Sequence, residues 1–152
     1  MKKLASTFVA LAAAITAHSA FAQAKPEDAI KYRRAAFTVM AKHFGHLGAM
    51  ADGKAPFDAQ AAAADADVLA VVSDLPFTAF GPGTNKGAIK TEAKPEIWQD
   101  PAKFKQAHED MRAAMPKLIA AARSGSADQI KDAFGPTGKT CKGCHDSFKE
   151  KH

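Results

Sequence analysis

Two thiols and an imidazole stand together near the end of the chain, in Cys141-Lys142-Gly143-Cys144-His145. On a helix Cys141 and Cys144 are i,i+3 and His145 is i,i+4 from Cys141, so all three project into one sector. Two thiols that add across the vinyl groups of a haem, with an imidazole reaching the iron from the same side, need that arrangement. Other uses of a C-x-x-C pair fit less well. A thioredoxin-like redox pair follows a strand in a βαβ unit, and no strand pattern lies nearby. A structural zinc site wants four cysteine or histidine ligands, usually from two pairs, and both of the chain's cysteines are in this one motif. A disulfide would close a very short loop, where chain-entropy stabilisation is least, and would leave His145 without a role. The spacing therefore predicts one covalent haem c, attached at Cys141 and Cys144, with His145 as the iron ligand.

The elements that must position this motif read as helices. Met1 to Ala22 is a targeting segment: Lys2 and Lys3 form a basic start, Leu4 to Ala17 is mostly apolar, and Ala20-Phe21-Ala22 offers a small-x-small cleavage signature. Its apolar run is shorter than the roughly 20 residues of a spanning helix, so export is expected, with no membrane association after its removal. Residues 23–152 remain, enough for one domain with its own core. Without Lys2 and Lys3 they carry 19 basic and 16 acidic residues. So small a surplus, with no basic stripe interleaved with aromatics, argues against nucleic-acid binding.

A first helix is expected from Pro26, with Glu27 and Asp28 at the positive end of its dipole, to about Met50. Ile30, Phe37, Met40, Ala41, Phe44 and Leu47 form its apolar stripe. Asp58 is the expected N-cap of a second helix, with Leu69, Val72 and Leu75 inward, and Pro76 ends it or allows one last irregular turn. Phe77 to Phe80 lead into a turn region over Gly81-Pro82-Gly83-Thr84-Asn85, and an irregular loop is expected from there to about Gln99, long enough to be functional. Asp100-Pro101 opens a third helix with Phe104, Ala107, Met111, Ala114, Met115, Leu118 and Ala122 inward, and Pro116 should kink it. Gly125 closes that helix, Ser126-Ala127-Asp128-Gln129 reads as a capping box for a fourth, and Gly135-Pro136 predicts a kink or break before the cysteines. Four such helices predict an all-α, antiparallel four-helix bundle holding a cofactor between facing helices.

The motif's place at the end of an exported four-helix chain resembles the cytochrome c′ family of class II c-type cytochromes. Further segments carry the resemblance: Lys25-Pro26-Glu27-Asp28-Ala29-Ile30-Lys31-Tyr32-Arg33, Phe80-Gly81-Pro82-Gly83-Thr84 and Pro95-Glu96-Ile97-Trp98. The resemblance implies a periplasmic protein with a five-coordinate, high-spin haem, His145 as sole protein ligand, and an apolar distal face that binds nitric oxide, carbon monoxide or other small gases. It implies that Arg33 lies beside a haem propionate, with Arg34 as a neighbouring haem contact and Glu92 against the haem edge. Phe37 falls where relatives turn a side chain toward the vacant iron position, and as a residue that cannot ligate it would restrict access by size. Phe77, Phe80 and Phe104 would line the same pocket, and Lys149, one turn beyond His145, would stand near the proximal face. A homodimer through the first two helices is implied as well.

Two further readings are carried alongside. A periplasmic single-electron carrier with a low-spin haem and a redox partner is the alternative function. An enzyme is not expected, because no general acid or base set can be placed at the distal face. His43, His46 and His108 read as surface or helix-end residues, and Met40, Met111 and Met115 as packing.

Overall fold

The computed structural model describes residues 25–151, and the targeting segment read over residues 1–22 lies outside them. The chain runs through α1 (Pro26–Ala51), α2 (Ala59–Val72), a 3-10 turn (Leu75–Ala79), a one-turn helix α3 (Glu96–Gln99), α4 (Pro101–Arg123) and α5 (Ala127–Phe148). The long helices form a four-helix bundle in which α1 packs on α2, α2 on α4, α4 on α5, and α5 back on α1.

The helix starts follow local chemistry. Pro26 occupies the first turn of α1, where its missing N–H costs nothing, and Glu27 and Asp28 face the positive end of the dipole. The Asp58 carboxylate accepts from the backbone N–H groups of Gln60 (2.8 Å) and Ala61 (3.0 Å) at the start of α2. Asp100 accepts from Lys103 N (3.0 Å) before α4, and Ser126 Oγ accepts from Gln129 N (3.3 Å) before α5. Gly125, at φ 72°, makes the tight reversal between those two helices.

The core gathers Leu47 and Met50 of α1, Ala62, Ala66, Leu69 and Val72 of α2, Met111, Met115, Leu118 and Ala122 of α4, and Ile130 of α5. Small residues on α2 allow its neighbours to approach closely. At Gly48 of α1 even a methyl group would meet the Phe134 ring at 2.4 Å, so this glycine lets α5 lie against α1.

Two expectations are corrected. The fourth helix is not interrupted: α5 is one helix from Ala127 to Phe148, through Gly135 and Pro136. Proline removes one backbone donor, but buried Ile130 and Thr137 anchor the helix on both sides of it, and Thr137 Oγ1 donates to Ala133 O (2.9 Å) across the affected turn. Tertiary packing outweighs the local preference. Nor is the loop irregular as far as Gln99, since it enters the one-turn helix α3 after Pro95. Ile97, only 4% exposed, fastens that single turn to the body.

Candidate haem site

The middle of α1 and the end of α5 face each other across a cavity of about 500 Å³, within the range of cofactor sites. Cys141, Cys144 and His145 line it from α5. Arg33, Arg34, Phe37, Met40, Ala41 and Phe44 line it from α1, Phe80 and Thr91 to Ala93 from the connection, and Phe104 and Met115 from α4. The spacing of 37, 40, 41 and 44 is that of one helical face, so the same stripe that buries Ile30 and Leu47 at its ends presents an apolar wall in between.

Both cysteines are half-buried free thiols. Burial raises the Cys141 thiol, and burial together with the neighbouring Cys141 charge pushes Cys144 up to about 11. His145 is held below the ordinary imidazole range, first by burial and then by Lys149, with Asp146 opposing. The neutral imidazole so favoured is the form with a lone pair for a metal.

Arg33 is the most constrained polar group at the cavity, 2% exposed. Its Nη1 donates to Ala79 O (3.0 Å) and Thr84 Oγ1 (3.1 Å), and its Nη2 to Thr84 O (2.9 Å) and Thr91 Oγ1 (2.9 Å). The guanidinium also lies 4.4 Å from the centroid of the Phe80 ring and 5.7 Å from that of Trp98. One side chain thus gathers the connection between α2 and α3. All four of its acceptors are neutral, so its buried charge suits an anionic group in the cavity. Arg34 is more exposed and donates to Lys90 O (3.2 Å).

The connection is also sewn to the chain end just beyond the motif. Lys94 N donates to Phe148 O (3.0 Å) and Glu150 N to Glu92 O (2.8 Å), forming an isolated antiparallel bridge between Ala93 and Lys149. The Lys149 ammonium pairs with the Glu92 carboxylate at 3.1 Å. Glu92 and Lys149 therefore meet at the cavity rim as partners, which the sequence spacing gave no way to see.

Of the aromatic residues expected here, Phe37, Phe80 and Phe104 line the cavity and Phe77 does not. Phe77 stands one layer behind, edge-on to Phe37 with ring centroids 5.7 Å apart. Met40, Phe44, Thr91, Met115 and Phe148 line the cavity without having been singled out as site residues. For Met40 and Phe44 the signal was available in their spacing from Phe37. His43, His46 and His108 do not line it. Nδ1 of His43 and of His46 each contact one oxygen of Asp65 (2.7 and 2.6 Å), and His108 Nε2 contacts Asp74 Oδ1 (2.8 Å).

The residues present fit a covalently held haem. Two thiols and an imidazole come from one helix face, apolar side chains supply the walls, and a buried cation awaits an anionic substituent. The comparisons with known proteins agree. The family model described as Cytochrome C′ matches residues 28–149. Cytochrome c′ of Rubrivivax gelatinosus is 58% identical over 127 residues, covering 84% of this chain and 98% of that protein. The cytochrome c′ of Alcaligenes xylosoxydans is 48% identical over 128 residues, with the same coverages. The solved R. gelatinosus structure superposes with a TM-score of 0.80 at 57% identity, covering 84% of this chain and 98% of that one. A variant of cytochrome c prime from Alcaligenes xylosoxidans, solved as its nitric oxide complex, superposes with a TM-score of 0.77 at 47% identity, covering 86% and 99%. With its family model matched over nearly the whole described region and its attachment motif on the cavity wall, this chain belongs to the cytochrome c′ family and carries haem c.

Proposed function

We propose that this protein is a periplasmic binder of nitric oxide and similar small gases, with a five-coordinate, high-spin haem and His145 as its only protein ligand. The observation that carries the proposal is the apolar cavity shared by the attachment motif and Phe37, a side chain that offers iron no donor. When bound, the haem iron supplies a coordination site for a diatomic ligand. Cys141 and Cys144 would fix the group to α5, Arg33 would hold a propionate, and Phe37, Phe80 and Phe104 would exclude water and larger molecules from the distal side. Arg34 and Glu92 would contact the haem edge, with Lys149 near the proximal face. The nitric oxide complex solved for the A. xylosoxidans relative supports the choice of ligand. Export follows from residues 1–22 read as a signal peptide, and no described helix is long and apolar enough to cross a membrane. The role is binding rather than catalysis.

A homodimer through α1 and α2 belongs to the same reading. Tyr32 and Val39 of α1 and Val71 of α2 are exposed at 45%, 41% and 71%, and a second copy would cover such side chains. Sedimentation equilibrium of the haem-loaded protein should give twice the chain mass.

Optical spectra of the oxidised and reduced protein, then with nitric oxide, test the central claim. High-spin spectra that shift with gas are expected, and a ferrous protein indifferent to nitric oxide would end it. A second reading has its own observation: the thioethers of Met40 and Met115 also line the cavity. If Met40 ligates the iron, the spectra are low-spin and the protein is a single-electron carrier serving a periplasmic redox partner.

A further inference from the structure

Behind the cavity wall stands a clamp that the haem chemistry does not itself require. Asp74 precedes the 3-10 turn where a capping residue belongs, yet its carboxylate makes no cap. It reaches α4 instead, where Oδ1 lies 2.8 Å from His108 Nε2 and 3.3 Å from Arg112 Nε. The His108 ring, so held, stacks flat on Phe77, with centroids 3.7 Å apart and planes at 12°. Phe77 in turn meets Phe37 edge-on at 5.7 Å and 80°. Phe37 is the only member of this series that lines the cavity.

We propose that His108, fixed by Asp74, is a positioning residue for the distal ring. Through Phe77 it holds Phe37 in one orientation and thereby sets how fast a small ligand reaches the iron. The proposal rests on the gas-binding reading for its kinetic part, and on packing alone for its structural part. Besides His108, Phe77 has Phe80 and, from α4, Phe104 around it, at 6.4 and 5.9 Å between ring centroids. Phe77 follows the buried Pro76 in a five-residue turn, and the Asp74 contact with His108 and Arg112 is the polar tie between that turn and α4. Cutting the tie frees Phe77 to tilt and Phe37 to follow, because a ring with space behind it samples further rotamers. A stacked ring acts here by shape, so a different flat ring should replace the imidazole.

The test compares the haem-loaded wild type with His108→Ala, His108→Phe and Asp74→Asn. Carbon monoxide association with the ferrous protein is followed by stopped flow, and Phe37 is examined in crystal structures of each. In His108→Ala, association should quicken by about two- to tenfold, the range set by losing one aromatic contact, and Phe37 should occupy more than one rotamer. Asp74→Asn should lie between, and His108→Phe should stay within about twofold of wild type because the stack is kept. Equal rates for wild type and His108→Ala with an unchanged Phe37 overturn the proposal. So does a His108→Phe variant as fast as the alanine variant and with the same Phe37 disorder, since a retained flat ring would then not hold Phe37. If the wild type binds no gas at all, the gas reading fails and the crystal structures alone decide the positioning claim.

Discussion

One apolar stripe runs the length of α1, but its two halves meet different surroundings. Towards the C-terminal end, Leu47 and Met50 are closed in with Ala62, Ala66, Leu118, Ala122 and Ile130, and the packing at Gly48 is so tight that no side chain would fit. In the middle, Phe37, Met40 and Phe44 remain only partly buried and face the cavity. Helical periodicity says which face turns inward. It does not say whether protein or a prosthetic group fills the space opposite, and a stripe of large side chains left half-covered is how a cofactor half of a bundle differs from a self-sufficient half.

The largest test of that contrast removes what fills the open half. Cys141→Ala combined with Cys144→Ala should abolish covalent haem, read as loss of the haem mass in intact-protein mass spectrometry under denaturing conditions. Next, the two halves should answer truncation differently. Leu118→Ala in the closed half should cost about 2–5 kcal/mol in denaturant unfolding, whereas Phe37→Ala leaves a cavity enlarged, not created, and should cost distinctly less. If the two losses are equal, the open half is packed as tightly as the closed one. Arg33→Ala should cost about 1–3 kcal/mol, because Ala79 O and Thr84 O lose a buried charged donor. It should also raise proteolysis between residues 84 and 91, where the other half of the bundle needs no such tie. Smallest is Lys149→Ala: its pair with Glu92 is about half exposed on both sides, so stability should change by at most about 1 kcal/mol.

The haem motif was legible because its chemistry is written in five consecutive residues, and the helix starts because proline, aspartate and serine act within one turn. Pro136 misled for the opposite reason. Its local preference to break a helix is real, and what overrides it, the burial of Ile130 and Thr137 against neighbouring helices, depends on residues distant in sequence. Arg33 was placed at the cavity by its resemblance to a family position. That it also ties together the connection, through Ala79, Thr84 and Thr91, could not be read, because bonds to the Ala79 and Thr84 carbonyls leave no mark in residue type and the Thr91 hydroxyl stands far along the chain. Aromatic character groups Phe77 with the cavity residues, but its ring stands behind Phe37, edge-on at 5.7 Å, because type alone does not say which layer a ring occupies.

The bridge between Ala93 and Lys149 bears on how the haem site is closed. Its two sides are far apart in the chain and are brought together by α4 and α5 between them, so it is a non-local contact that depends on the packing of those helices. Through it the connection covers the end of α5, where Lys94 N and Phe148 O meet. Cys141, Cys144 and His145 line the cavity just before this bridge, so the contact that seals the chain end also closes one side of the haem site.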